Sequence, residues 1–234
     1  MKRFQWILGV TASIAFIFVM LITSFEIAAY SDFGWYQKEY EKYNVTRDLT
    51  MEIGDVMDVT HEMMSYLRGD RENLVVYTTI NKVENQEFFN EQDKIHMADV
   101  QNLFLGGLKL RMIALGALVL CLGVLVATRA DWKRILPRCY QIGLGIAVAG
   151  SVMVGIYAAA DFDTFFTKFH EIFFTNDLWI FDPRTDYMIR MLPEEFFADM
   201  VSRIGVIFAG GLLLMLAVSI LCDKMFRRKG ITQM

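Results

Sequence analysis

The sequence predicts an all-α membrane protein with four transmembrane helices, both termini cytoplasmic, and an extracytoplasmic cap of amphipathic helices with a short β-hairpin. Three observations carry this expectation. Apolar residues make up 55% of the 234, with 19 Phe and 15 Met, a composition that favours the membrane class. Four segments reach the about 20 mostly apolar residues that a bilayer crossing needs. Finally, the basic residues gather at one set of segment ends, and the acidic residues in the two long connections.

The four spans are read at 4-27, 106-128, 140-160 and 204-222. Lys2 and Arg3 precede the first, like the flank of a secretory signal, but its apolar core is longer than a signal h-region of about 7 to 15 residues and no A-x-A cleavage site follows. It is expected to be a retained helix. Lys2 and Arg3, the loop residues Arg129, Lys133, Arg134 and Arg138, and Lys224, Arg227, Arg228 and Lys229 all fall on one side. The positive-inside rule makes that side cytoplasmic. The acidic segments 30-105 and 161-202 are then exported, within one integral membrane domain spanning 1-234. No basic face suggests nucleic-acid binding.

In the first exported segment, Leu49, Ile53, Val56, Met63, Met64 and Leu67 recur at helical spacing and Gly69 follows, which predicts an amphipathic helix over 47-68. The β-branched and aromatic run LVVYTTINKVENQEFF predicts a hairpin around Asn81-Lys82. Asn90 reads as an N-cap, with Glu91 and Asp93 at the positive end of the helix that leads into the second span. In the second exported segment, Phe162, Phe165, Phe166, Phe169 and Phe173 form a helical stripe, with His170 at its edge beside Asp163 and Thr167. That helix is expected in the outer interface, with its imidazole at the boundary with water. Asn176 and Asp177 suggest a turn, Trp179 an interfacial anchor, and Asp182-Pro183 a helix start leading to Tyr187 and Arg190. Pro193 then opens the fourth helix, with Glu194 and Glu195 in its first turn.

Covalent chemistry finds few candidates outside. Cys121 lies within the second span and Cys139 and Cys222 near the cytoplasmic ends of the third and fourth, so neither a disulfide framework nor an exported thiol nucleophile is expected. The exported serines, Ser31, Ser65 and Ser202, stand in no G-x-S-x-G elbow. Titratable side chains of the right range are the alternative. His96, on the helix after Asn90, shares a stripe with Val100, Leu103 and Gly107 and stands about 10 to 15 Å above the apolar start of the second span. Asp99 is one turn further on. His170 follows the third span by a similar margin, so two histidines from different segments reach one depth. His61, in HEMMS, lacks the second His of a zincin motif.

Three readings follow. One is an enzyme acting on a lipid-linked substrate, with His96 and His170 as general base and acid. A second is a metal-dependent lipid hydrolase built from the histidines and nearby Asp, which lacks compact ligand spacing. The third is a non-catalytic membrane sensor or a transporter-associated protein; the spans, however, lack the mid-membrane ionisable residues and Pro breaks frequent in carriers.

The blocks HMADV (His96 to Val100) and FHEIFFTNDLWIFDPRTDYMIRMLPEEFF (Phe169 to Phe197), set between four spans, resemble the bacterial integral membrane family of lipoprotein intramolecular transacylases, Lit. The resemblance implies an acyl transfer from the S-diacylglyceryl group to the α-amino group of a lipoprotein's N-terminal cysteine, giving the lyso form, at the outer face of the cell membrane. For that reaction the chemistry suggests His170 as base and His96 as acid, the reverse assignment being nearly as good, with Asp99 fixing the tautomer of His96 and Arg190, Asn176 or backbone N–H groups steadying the oxyanion. Asp177, Trp179, Asp182 and Asp186 join the residues expected to orient or bind substrate, and Phe166, Phe169 and Phe173 to contact lipid. No cofactor or metal is expected. The expected partners are a diacylglyceryl-modified lipoprotein and membrane lipid, and the chain is expected to be a monomer.

Overall fold

A computed structural model describes residues 2–231, with side chains from Arg3 to Phe226. The basic residues Lys2, Arg227, Arg228 and Lys229 lie outside the described side chains. In chain order the elements are α1 (Lys2–Tyr30), α2 (Phe33–Lys42), α3 (Val45–Leu49), α4 (Ile53–Arg68), β1 (Tyr77–Ile80), β2 (Val83–Glu87), α5 (Glu91–Ala127), α6 (Trp132–Ala160), α7 (Phe162–Phe173), α8 (Tyr187–Met191) and α9 (Glu194–Ile231). They form two compact units. The first comprises the chain up to Ile27, Leu108–Ala160 and the chain from Arg203 onward; the second comprises Ala28–Gly107 and Asp161–Ser202.

In the first unit, α1, α5, α6 and α9 are each long and apolar enough to cross a membrane. Their outer faces carry exposed Ile146, Met153, Ile156, Val206 and Leu213, as lipid-facing surfaces do. Small residues set how closely helices approach, as is common in membrane bundles. A Cβ on Gly9 of α1 would lie 2.7 Å from the Cys139 sulfur and 2.8 Å from Ile135 of α6. The Tyr140 hydroxyl donates to the Leu212 carbonyl at 2.8 Å, tying α6 to α9. Glu26 of α1 and Arg111 of α5 form an ion pair. Arg111 is thus an ionisable residue inside the second predicted span, accommodated because its charge has a partner.

The second predicted loop is shorter than expected. Lys133, Arg134 and Arg138 belong to the first turns of α6, and only Thr128–Asp131 connect it to α5, with Arg129 in the left-handed region at φ 49°. The Asp131 carbonyl, which accepts from the amides of Arg134 and Ile135 at 3.0 Å, starts the helix before the apolar run begins.

The second unit buries Tyr36, Tyr40, Val56, Val59, Ile80, Phe88, Phe89 and Met191 in one core. The predicted hairpin is present, antiparallel, with Ile80 opposite Val83. Asn81 and Lys82 both take positive φ, 51° and 64°, the pairing that a two-residue hairpin turn demands. The predicted helix over 47-68 divides into α3 and α4. Thr50 turns left-handed at φ 52°, and the Met51 amide closes back on the Thr46 carbonyl at 3.0 Å, which lets both Leu49 and Met51 point into the core. A continuous helix would turn one of them outward.

Asn90 caps α5 as the sequence predicts, and reciprocally. Its side-chain oxygen accepts from the Asp93 amide and the Asp93 carboxylate accepts from the Asn90 amide, each at 2.9 Å, a capping box with Asp in the usual Glu position. Asp182-Pro183 does not start a helix. Pro183–Thr185 form a turn held by the Asp182 carbonyl, and α8 begins after Asp186. The Asp186 carboxylate accepts the Asp182 amide at 2.8 Å, which stabilises the turn over a helical start.

Candidate active site

His96 and His170 both belong to the second unit, and they meet. The imidazoles of His96 on α5 and His170 on α7 stack with centroids 5.9 Å apart and planes 28° from parallel. His170 is placed by α7 itself. Asp161 caps that helix, accepting from the Thr164 amide at 3.1 Å and its hydroxyl at 2.6 Å, and in its last turn the His170 ring folds back along the helix. His170 Nδ1 lies 2.7 Å from the Phe166 carbonyl oxygen. A carbonyl only accepts, so the proton sits on Nδ1 and the lone pair of neutral His170 is on Nε2.

An aromatic enclosure surrounds the pair. Trp179 stacks on His170 at 4.9 Å and 29°, Phe166 lies against it edge-on at 4.4 Å, and Phe169 does so at 5.6 Å. Phe174 touches both imidazoles, and Phe181 meets His96 at 5.4 Å. The residues are 6% and 7% exposed. His170 is therefore enclosed, where the sequence placed it at the edge with water, because the loop after α7 returns Phe174 and Trp179 over it. Phe173 packs on Phe169 and remains about half exposed.

Burial disfavours charge on both rings. For His96, burial and then the charge of His170 push the pKa down to about 4, with Asp99 opposing. For His170, burial lowers it and the Phe166 carbonyl opposes. Both imidazoles are neutral near pH 7. His96 Nδ1 is enclosed and has no hydrogen-bond partner among the described residues. Orphaned buried donors are rarer than under-satisfied acceptors, which favours a bare Nδ1 and the proton on Nε2. The pair thus holds one basic nitrogen and one N–H donor side by side.

Asp99 does not hydrogen-bond His96. Its carboxylate accepts from the Asn176 side-chain amide at 2.9 Å, and the Asn176 oxygen accepts from the Leu178 amide at 3.0 Å. Gln92, four residues before His96, donates to the carbonyls of Leu178 and Ile180 at 3.1 and 2.9 Å. One face of α5 thus carries Gln92, His96 and Asp99, and the flanking residues strap down the loop that delivers Trp179 and Phe181. Gln92, Phe174 and Phe181 were not singled out from the sequence; Gln92 lies at i−4 from His96, the one signal that was available.

The other expected residues make contacts of their own. Asp177 contributes its carbonyl to the turn, accepting from Ile180 at 3.1 Å, and its side chain is exposed. Asp182 binds its neighbour Arg184. Asp186 is buried and accepts from the Asn90 side chain, tying the turn to the start of α5. Arg190 pairs with Asp48, Nε to Oδ2 at 2.7 Å, joining α8 to α3; its guanidinium is engaged there and not with the histidines. His61 stacks on Phe33 at 4.1 Å. Asp93, expected at the start of α5, is fully buried, and burial raises its carboxyl to about 6 against the Asn90 N–H that opposes it. Among the described residues no group of three His, Cys, Asp or Glu side chains is placed to hold a metal ion.

Fold and site together define a multi-pass membrane protein with a buried pair of neutral histidines in its second unit. The family profile described as lipoprotein intramolecular transacylase Lit matches residues 10–197, and the chain belongs to that family, whose name denotes acyl transfer on a lipoprotein. Among solved structures, the fold is similar to that of the membrane integral transacylase Lit from Bacillus cereus, with 20% identity, a TM-score of 0.73, and 100% of this chain and 99% of that one covered. Two further structures of that protein, with one histidine replaced by arginine or by alanine, give TM-scores of 0.77 and 0.76 at 19% identity; 97% of this chain is covered in both, against 96% and 97% of theirs. These likenesses carry the fold. No curated protein sequence matches the chain.

Proposed function

We propose that the protein moves an acyl chain from the S-linked diacylglyceryl group to the α-amino group of the N-terminal cysteine of a bacterial lipoprotein, at the outer face of the cell membrane. The products are an amide on the cysteine nitrogen and a free hydroxyl on the glycerol. The observation that carries the reading is the histidine pair, with His170 Nε2 left as a free base by the Phe166 carbonyl on Nδ1.

The amine nitrogen attacks the ester carbonyl carbon. An α-amine has a reference pKa near 8, and an apolar enclosure favours its neutral, nucleophilic form. As the C–N bond forms, His170 Nε2 takes the nitrogen's proton; as the C–O bond breaks, the same imidazolium returns it to the glycerol oxygen. His96, expected from the sequence to be the acid, binds a proton too weakly to rest as imidazolium at neutral pH. It serves instead as a neutral N–H donor to the oxyanion of the tetrahedral intermediate. Donor ester and acceptor amine sit on one molecule, so no acyl-enzyme is needed and positioning supplies much of the rate. Trp179, held by the Asp99–Asn176 bond, orients His170, and Phe166, Phe169 and Phe173 guide the acyl chains. The chain acts as a monomer.

A crossover experiment tests this directly. Purified protein receives two diacylglyceryl lipopeptides that differ in peptide mass and acyl length, and tandem mass spectrometry reads the acyl group on each nitrogen. The expected products carry only their own acyl chains. Mixed products would exclude direct intramolecular attack.

A further inference from the structure

The first unit contains a cavity of about 400 Å³ that the acyl-transfer reading leaves without a role. It is walled by α1, α5, α6 and α9, with Phe16, Leu118, Leu122, Leu136 and Phe226 among its lining residues and Lys133 at its rim. Its volume is that of a ligand site. The polar lining groups are turned away from the space. Ser13 donates to the Gly9 carbonyl, Tyr140 to that of Leu212, and Ser219 donates to the Pro137 carbonyl while accepting from Gln141. Water would find few partners inside, and an apolar occupant loses nothing by entering.

The charge at the rim says which apolar occupant fits. Of the cations at the start of α6, Arg134 is paired with Asp131 at 3.2 Å and Arg138 with Asp223 at 3.8 Å. Lys133 has no carboxylate partner among the described residues. Its ammonium lies over the Trp132 ring at 5.5 Å and the Phe226 ring at 5.2 Å, and both Trp132 and Lys133 are exposed. An aromatic-held ammonium beside an apolar cavity between membrane helices has the chemistry of an anionic lipid site. We propose that this cavity binds an anionic phospholipid, with one acyl chain between the four helices and its phosphate on Lys133. The site is separate from the histidine pair and does not depend on the proposed reaction.

The test uses the full chain released in mild detergent and native mass spectrometry with added phosphatidylglycerol or phosphatidylcholine of identical chains. The expected result is one tightly retained phosphatidylglycerol per chain, bound more strongly than phosphatidylcholine. Lys133→Gln should weaken phosphatidylglycerol about fivefold, the effect of roughly 1 kcal/mol per basic residue near an anionic headgroup, and leave phosphatidylcholine unchanged. Leu122→Trp, which fills the cavity, should abolish the tight site for both. Equal retention of the two lipids by wild type, or unchanged phosphatidylglycerol binding in Lys133→Gln, would overturn the proposal; the second holds even if Leu122→Trp fails to fold.

Discussion

Acid should weaken the second unit through His96, by an amount that the structure sets. The folded protein binds a proton there at about 4, against 6.5 for an unperturbed histidine. The unfolded chain therefore holds more protons between those values, so this contribution to stability is intact above pH 6.5 and is lost as pH falls towards 4. The full displacement corresponds to about 3 kcal/mol, at 1.36 kcal/mol per pH unit, and roughly 2 kcal/mol of it should be lost between pH 7.5 and 5. Asp93 works the other way in the same window. Its folded carboxyl, raised to about 6 from 3.8, gains a proton more readily than the unfolded one and recovers stability on acidification. A wild-type curve alone therefore mixes the two, and the difference between wild type and His96→Gln isolates the histidine. Chemical unfolding in detergent at pH 7.5 and 5 provides the measurement, with wild type expected to lose roughly 2 kcal/mol more than the variant. Equal losses would refute the buried, weakly basic His96. A direct check is histidine-labelled NMR in a His61→Gln background, where the His96 ring should titrate far below 6.5.

Three further outcomes follow from the geometry. Asp99→Asn and Asn176→Ala should each loosen the loop carrying Trp179 by about 1.5 to 3 kcal/mol, the worth of a hydrogen bond to a charged group, and should be non-additive when combined, read as protease cleavage of the 174–186 segment. Arg190→Ala should cost at most about 1 kcal/mol, since its Asp48 partner is largely exposed, and should leave acyl transfer per folded molecule unchanged. Gly9→Ala, which puts a Cβ 2.7 Å from the Cys139 sulfur, should destabilise the first unit by about 1 to 3 kcal/mol, and Cys139→Ala should restore most of the melting temperature.

The parts of the fold legible in the sequence are those governed by local rules. Each span is a run of apolar residues long enough to reveal itself without knowledge of its neighbours. The hairpin was marked by β-branched residues around Asn81-Lys82, and the start of α5 by Asn90 and Asp93, because turn and cap geometry depend on a few adjacent residues. The division of α3 from α4 was hidden, since Thr50 is an ordinary helical residue until Leu49 and Met51 must both reach the core. Asp182-Pro183 carried a valid helix-start signal that lost to the Asp186 carboxylate four residues later. At the site, the two histidines could be picked out by type and by distance from the spans. Their partners could not: Asp99 to Asn176, Gln92 to Leu178 and Arg190 to Asp48 are contacts between distant segments, and no period or motif encodes them.

The most direct measurement of the two-histidine account places purified wild type, His96→Ala and His170→Ala, matched for folded protein, with one synthetic diacylglyceryl lipopeptide, and reads the position of the acyl chains by tandem mass spectrometry. Wild type should convert the substrate to the N-acyl lyso form. His170→Ala should lose roughly 10²- to 10⁴-fold in rate with its general base, and His96→Ala roughly 10²- to 10³-fold with its oxyanion donor. Full activity in both folded variants would contradict the account and leave the pair a structural feature of the fold.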